Sequence, residues 1–144
     1  MSEDIYTLNR MSNSKNEFQG PAKRVLCVCS AGLLRSPTMA ALLQHDYGYN
    51  TRAAGCVKEY ALIFADVALV YWADEIVFAE QEHKDTMLSY LEKQELPPHQ
   101  VLDIPDRYSR GNMELEKLIR RAYTTDDRRI RWVNEDWGVK DDKR

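Results

Sequence analysis

Long hydrophobic runs are missing from this sequence. The longest apolar stretch, YALIFADVALVYWA at residues 60–73, is broken by Asp66. It falls short of the roughly 18–20 residues that a spanning helix needs. A membrane is therefore not an expected partner, and residues 58–73 are read as a buried helix. Cysteine is scarce as well: only Cys27, Cys29 and Cys56 occur. An odd count in a chain of this size, with no signal-peptide pattern, excludes a disulfide framework and favours a reducing, cytoplasmic setting. Charge of one sign is not in excess, since 20 Lys and Arg face 23 Asp and Glu for a net −3. No global basic field attracts nucleic acid, which is not an expected partner either. His45, His83 and His99 are scattered and belong to no cluster with ligand spacing. Surface or helix-end roles are expected for them, and neither a metal nor a cofactor is expected.

What remains is enough for one domain: 144 residues, 44% of them hydrophobic. Residues 1–22 are polar without an apolar period and read as a loose leader. Residues 23–137 read as a single α/β domain, and 138–144 as a frayed tail. RVLCVC at 24–29 is apolar without alternation, which suits a parallel strand buried on both faces. SPTMAALLQHDYG follows as a helix, with Ser36 as N-cap, Pro37 at its first position and Gly48 ending it. Further strands are expected at 49–55, 75–80 and 100–104. Further helices are expected at 58–73, 81–93 and 113–123. This strict alternation argues a parallel sheet with helices on both faces. Ligands of such sheets bind beyond the C-terminal ends of the strands.

CVCSAGLLRSPT, residues 27–38, lies at such an end. A strand, a tight loop and a helix N-terminus together present free backbone N–H groups and a positive helix dipole, which suit a phosphate-like anion. Ser30, Ala31 and Gly32 are small, so amides can approach a ligand closely and form an anion nest. Arg35 adds a planar fork for two phosphoryl oxygens. The same groups favour a thiolate at Cys29, and Ser36 can donate a hydroxyl to that sulfur.

The run Cys29-Ser30-Ala31-Gly32-Leu33-Leu34-Arg35-Ser36-Pro37 resembles the phosphate loop of the low-molecular-weight protein tyrosine phosphatases. TRAAG resembles the second strand of that family, and DIPDRY at 103–108 resembles its general-acid loop. The likeness covers roughly residues 23–123 and carries a four-stranded parallel sheet of order 2-1-3-4. It implies that Cys29 attacks phosphorus, that Arg35 and the loop (Ser30, Ala31, Gly32, Leu33, Leu34) hold the phosphoryl oxygens, and that Ser36 serves the sulfur. Asp106 is the implied acid, ahead of Asp103, which can cap the turn. Tyr108 is the implied aromatic wall, with further wall residues sought between 56 and 60. The implied partner is a phosphotyrosine protein or an aryl phosphate.

Three departures stand out. Gly32 replaces the usual asparagine, keeping the left-handed backbone while losing a bracing side chain. Leu34 replaces a second loop cysteine, which removes one route of redox protection. Arg107 replaces the proline after the acid. Cys27 reads as a core residue, and Cys56 as core or pocket rim. The basic residues Lys117, Arg120, Arg121, Arg128, Arg129 and Arg131 read as a solvated face, since acidic residues are interleaved. Two other functions compete: an arsenate reductase of related fold, which needs relay cysteines, and a phosphate-binding module without turnover.

Overall fold

The computed structural model describes residues 21–91, 96–109 and 111–125. Most of the expected leader, the tail, Arg128, Arg129 and Arg131 lie outside the described residues. The first strand, β1 (Arg24–Cys29), is buried from Val25 onward. It pairs in parallel with β2 (Asn50–Gly55) on one side and with β3 (Glu75–Phe78) on the other. β3 pairs in parallel with β4 (His99–Val101), so the order is β2-β1-β3-β4. This is the expected α/β sheet of order 2-1-3-4.

The missing alternation in β1 has a direct cause. Val25, Cys27 and Cys29 join one core with Met39, Leu43, Leu115 and Ile119. Leu26 and Val28 join a second core with Leu69, Trp72, Met87 and Leu91. Successive side chains of a strand point to opposite faces, so helices on both sides demand apolar residues at every position. The first face is covered by α1 (Arg35–Tyr47) and α4 (Met113–Ala122), the second by α2 (Val67–Trp72) and α3 (Gln81–Leu91). Asp46 joins α1 to α4 through a two-point bond from Arg120, at 2.9 and 3.1 Å.

Several local expectations are corrected. Residues 58–73 do not form one helix: α2 begins only at Val67. Asp66, the charge that interrupts the apolar run, is its N-cap and accepts the Leu69 N–H at 3.1 Å. The residues before it form a turn and a bridge, held by Gly55 N–H to Ile63 O and Leu62 N–H to Ala31 O. Tyr60, Leu62 and Ile63 are consequently exposed rather than buried. Ser36 is also not an N-cap. The helix starts at Arg35, so the cap position is Leu34, whose apolar side chain makes no cap bond; Ser36 and Pro37 are its second and third residues, and the Ser36 hydroxyl is engaged inside the fold. Gly48 does end α1 in the left-handed conformation, its N–H bonded to Gln44 O. The strands expected to reach residues 80 and 104 end at Phe78 and Val101. Backbone bonds continue past both ends, from Ala79 N–H to Val28 O and from Ile104 N–H to Ala79 O.

Candidate active site

Those extra bonds draw the segments after β1, β3 and β4 together at the C-terminal end of the sheet. Cys29 ends β1, Glu80 follows β3, and residues 104–106 follow β4. Between them lies a cavity of about 290 Å³ lined by Cys29, Ser30, Ala31, Leu33, Leu34, Arg35, Tyr60 and Asp106. Seven of these eight were singled out in the sequence. Tyr60 falls at the edge of the 56–60 segment where wall residues were sought.

The loop from Ser30 to Leu34 can turn this tightly because of two glycines. Gly32 has φ +76°, a backbone region that side chains rarely occupy, and a Cβ there would meet the Ala54 and Gly55 backbone at 2.9 Å. Gly55, on the neighbouring strand, lies so close beneath the loop that a Cβ would meet Ser30 O at 2.5 Å. The Cys56 and Val57 N–H groups then donate to Cys29 O and Ser30 O, which pins the loop to the end of β2.

Cys29 is 4% exposed, and its sulfur is addressed from two sides. The Gly32 N–H donates to Sγ at 3.2 Å, and Ser36 Oγ lies 3.3 Å from Sγ. Ser36 also sits 3.4 Å from Ala54 O, so its proton can turn to either partner. Arg35, which also lines the cavity, is 3% exposed. Its Nη1 donates at 2.8 Å both to Glu80 Oε1 and to Ile104 O, and its Nη2 lies 3.7 Å from Asp106 Oδ2. Glu80 was not singled out in the sequence. Its only signal is a carboxylate just past the apolar run Ile76–Ala79.

The two candidate acids separate cleanly. Asp106 is on the Cys29 cavity, whereas Asp103 lines a neighbouring cavity of about 460 Å³ with Glu80, Gln81, Glu82 and Pro105. Asp103 has φ +61° and is exposed at the turn. Tyr108 is not brought to the Cys29 cavity. It packs, partly buried, against the core formed with α4, and the Arg107 guanidinium folds over its ring at 5.5 Å. The aromatic side chain on the cavity is Tyr60 instead, the last residue of the segment where wall residues were sought.

His83 lies at a helix end, one of the two places expected for it, but it is not on the surface. It is 1% exposed, on the first turn of α3. Its Nδ1 accepts the Glu80 N–H at 3.0 Å, and its Nε2 lies 3.0 Å from Ser30 Oγ. Burial holds its pKa below the ordinary histidine value, and the nearby Arg35 guanidinium adds to that effect. Its partner is 53 positions away in sequence. The order β2-β1-β3-β4 brings the start of α3 next to the loop after β1, and that adjacency was the available signal.

Cys27 and Cys56 are buried in opposite cores, and neither lines the Cys29 cavity. Burial raises the pKa of both thiols, that of Cys56 to about 11. Among the described residues no group of side chains could hold a metal ion, and no helix is long and apolar enough to cross a membrane. Neither family models, nor curated proteins, nor solved structures give a match to this chain.

Proposed function

We propose that this chain hydrolyses phosphate monoesters through a cysteinyl-phosphate intermediate, with phosphotyrosine or a similar aryl phosphate as substrate. The observation that carries the reading is the convergence of Cys29, Arg35 and Asp106 on one cavity, with Ser36 and the Gly32 N–H at the sulfur. The apolar mouth made by Leu33, Leu34 and Tyr60 supports an aromatic leaving group, because a phenol spans an apolar collar to a recessed sulfur.

In the first step the Cys29 sulfur attacks phosphorus, an S–P bond forms and the P–O bond to the phenol breaks. Asp106 gives its proton to the departing phenolate oxygen. Arg35 and the uncapped amides at the start of α1 balance the charge on the non-bridging oxygens. In the second step water attacks phosphorus, Asp106 takes its proton and the S–P bond breaks. Ser36 then turns its proton from Ala54 O to the leaving sulfur. Three free thiols fit a reducing compartment, so a cytoplasmic location belongs to the same proposal.

Cys29→Ser tests the reading. It should abolish p-nitrophenyl phosphate turnover while keeping inorganic phosphate binding; turnover near the wild-type rate would rule the reading out. An arsenate reductase gains no support, since relay chemistry needs accessible thiols and both remaining cysteines are buried.

A further inference from the structure

We propose that His83 is a positioning residue that sets the Ser30 hydroxyl as a hydrogen-bond donor to a phosphoryl oxygen in the Cys29 cavity. This rests on the phosphatase reading and adds a side-chain donor to a loop otherwise credited with backbone amides.

The direction of each bond follows from the one before it. The Glu80 backbone N–H can only donate, so His83 Nδ1, 3.0 Å away, must accept and carries no proton. The imidazole is buried, and burial first and the Arg35 charge second disfavour the doubly protonated ring, against the pull of Glu80, Glu82 and Asp106. Its one proton is therefore on Nε2. Nε2 has Ser30 Oγ at 3.0 Å, while Glu80 Oε1 is at 3.9 Å, beyond hydrogen-bond reach. Nε2–H donates to Ser30, and Ser30 Oγ accepts.

A hydroxyl has one proton and two lone pairs. With one lone pair held by a buried, immobile ring, the Ser30 proton is left to swing over a restricted arc. Among the described residues no acceptor meets it. Ser30 lines the cavity with Cys29, Arg35 and Asp106. The acceptors suited to that arc are the oxygens of an anion in the cavity. Had the histidine tautomer been reversed, Ser30 would have spent its proton on the ring and offered the anion only lone pairs.

The test measures inorganic phosphate binding by calorimetry, and p-nitrophenyl phosphate kinetics, on the full chain. Ser30→Ala should weaken phosphate binding about tenfold, the scale of a hydrogen bond to a charged acceptor. KM should change more than kcat, because the phosphoryl oxygens carry charge before and during transfer. His83→Leu should match Ser30→Ala, His83→Gln should recover most of the loss by keeping a donor near Nε2, and the double variant Ser30→Ala/His83→Leu should be no worse than Ser30→Ala. Ser30→Ala with wild-type phosphate affinity overturns the proposal, whatever the stability of the His83 variants. So does full additivity in the double variant. Failure of the phosphatase reading has a different signature: turnover absent in the wild type, or intact in Cys29→Ser.

Discussion

The Arg35 guanidinium, 3% exposed, reaches the Glu80 carboxylate at 2.8 Å from across the end of the sheet. The same Nη1 also donates to Ile104 O, so two chain segments hold the fork in place. A buried cation that loses its carboxylate partner is costly, on the order of 1–3 kcal/mol even with one bond left. Glu80→Ala should therefore lower both the urea midpoint and kcat/KM for p-nitrophenyl phosphate, the latter about tenfold. Glu80→Gln keeps an acceptor and should retain most of both. Unchanged kinetics in Glu80→Ala would show that Arg35 needs no such support.

Asp106 and Asp103 offer a paired comparison within one loop. Only Asp106 shares the cavity of Cys29, while Asp103 faces the adjacent one. Asp106→Asn should cut kcat for a poor phenolic leaving group by roughly a hundredfold or more, the scale of a lost general acid. The loss should shrink for p-nitrophenol, which leaves without help. Asp103→Asn should stay within about threefold of wild type. The reverse ranking would move the acid to residue 103.

Gly32→Asn restores the residue usual in the resembled family, yet it should impair this chain. The backbone at Gly32 is left-handed, which asparagine tolerates, but its Cβ would meet the Ala54 and Gly55 backbone at 2.9 Å. Backbone cannot swing away as a side chain can. Overpacking of this kind costs about 1–3 kcal/mol. The expected result is a lower melting temperature and weaker phosphate binding; gains in both would mean that the loop relaxes readily.

His83 ties stability to pH. Its folded pKa lies below the unfolded value of 6.5, chiefly through burial and then through Arg35, while Glu80, Glu82 and Asp106 pull the other way without reversing it. The folded state therefore favours the neutral ring. Its contribution is complete above about pH 6.5 and is lost as pH falls toward the folded pKa, because the unfolded chain binds the proton more readily. The urea midpoint of the wild type should fall between about pH 7 and 5, and the fall should be smaller in His83→Gln. Equal falls in the two proteins would contradict the assignment.

Much of this arrangement was legible in the residues themselves. RVLCVC reads as a two-faced strand because it lacks alternation, and two separate cores do meet on it. The Asp-x-Tyr spacing of the resembled family put Asp106 ahead of Asp103, and the two line different cavities. Residues 58–66 misled because apolar composition imitates a buried helix. Tyr60 and Leu62, 59% and 72% exposed, belong to a loop held by backbone bonds to Ala31 and Gly55, and such bonds leave no mark on composition. Asp66 was the overlooked signal, since a lone carboxylate before an apolar run is a helix start as readily as an interruption. Glu80 and His83 were hidden for another reason. Their partners are 45 and 53 positions away, and only the strand order makes them neighbours.

The account turns on a covalent bond between sulfur and phosphorus. Rapid acid-free quenching during p-nitrophenyl phosphate turnover, followed by peptide mass spectrometry, reads that bond directly. The expected result is one added phosphoryl group on the peptide containing Cys29, enriched in Asp106→Asn if loss of the base slows hydrolysis more than transfer, and absent in Cys29→Ser. Sustained turnover with no phosphoryl group on Cys29 in either the wild type or Asp106→Asn would contradict it.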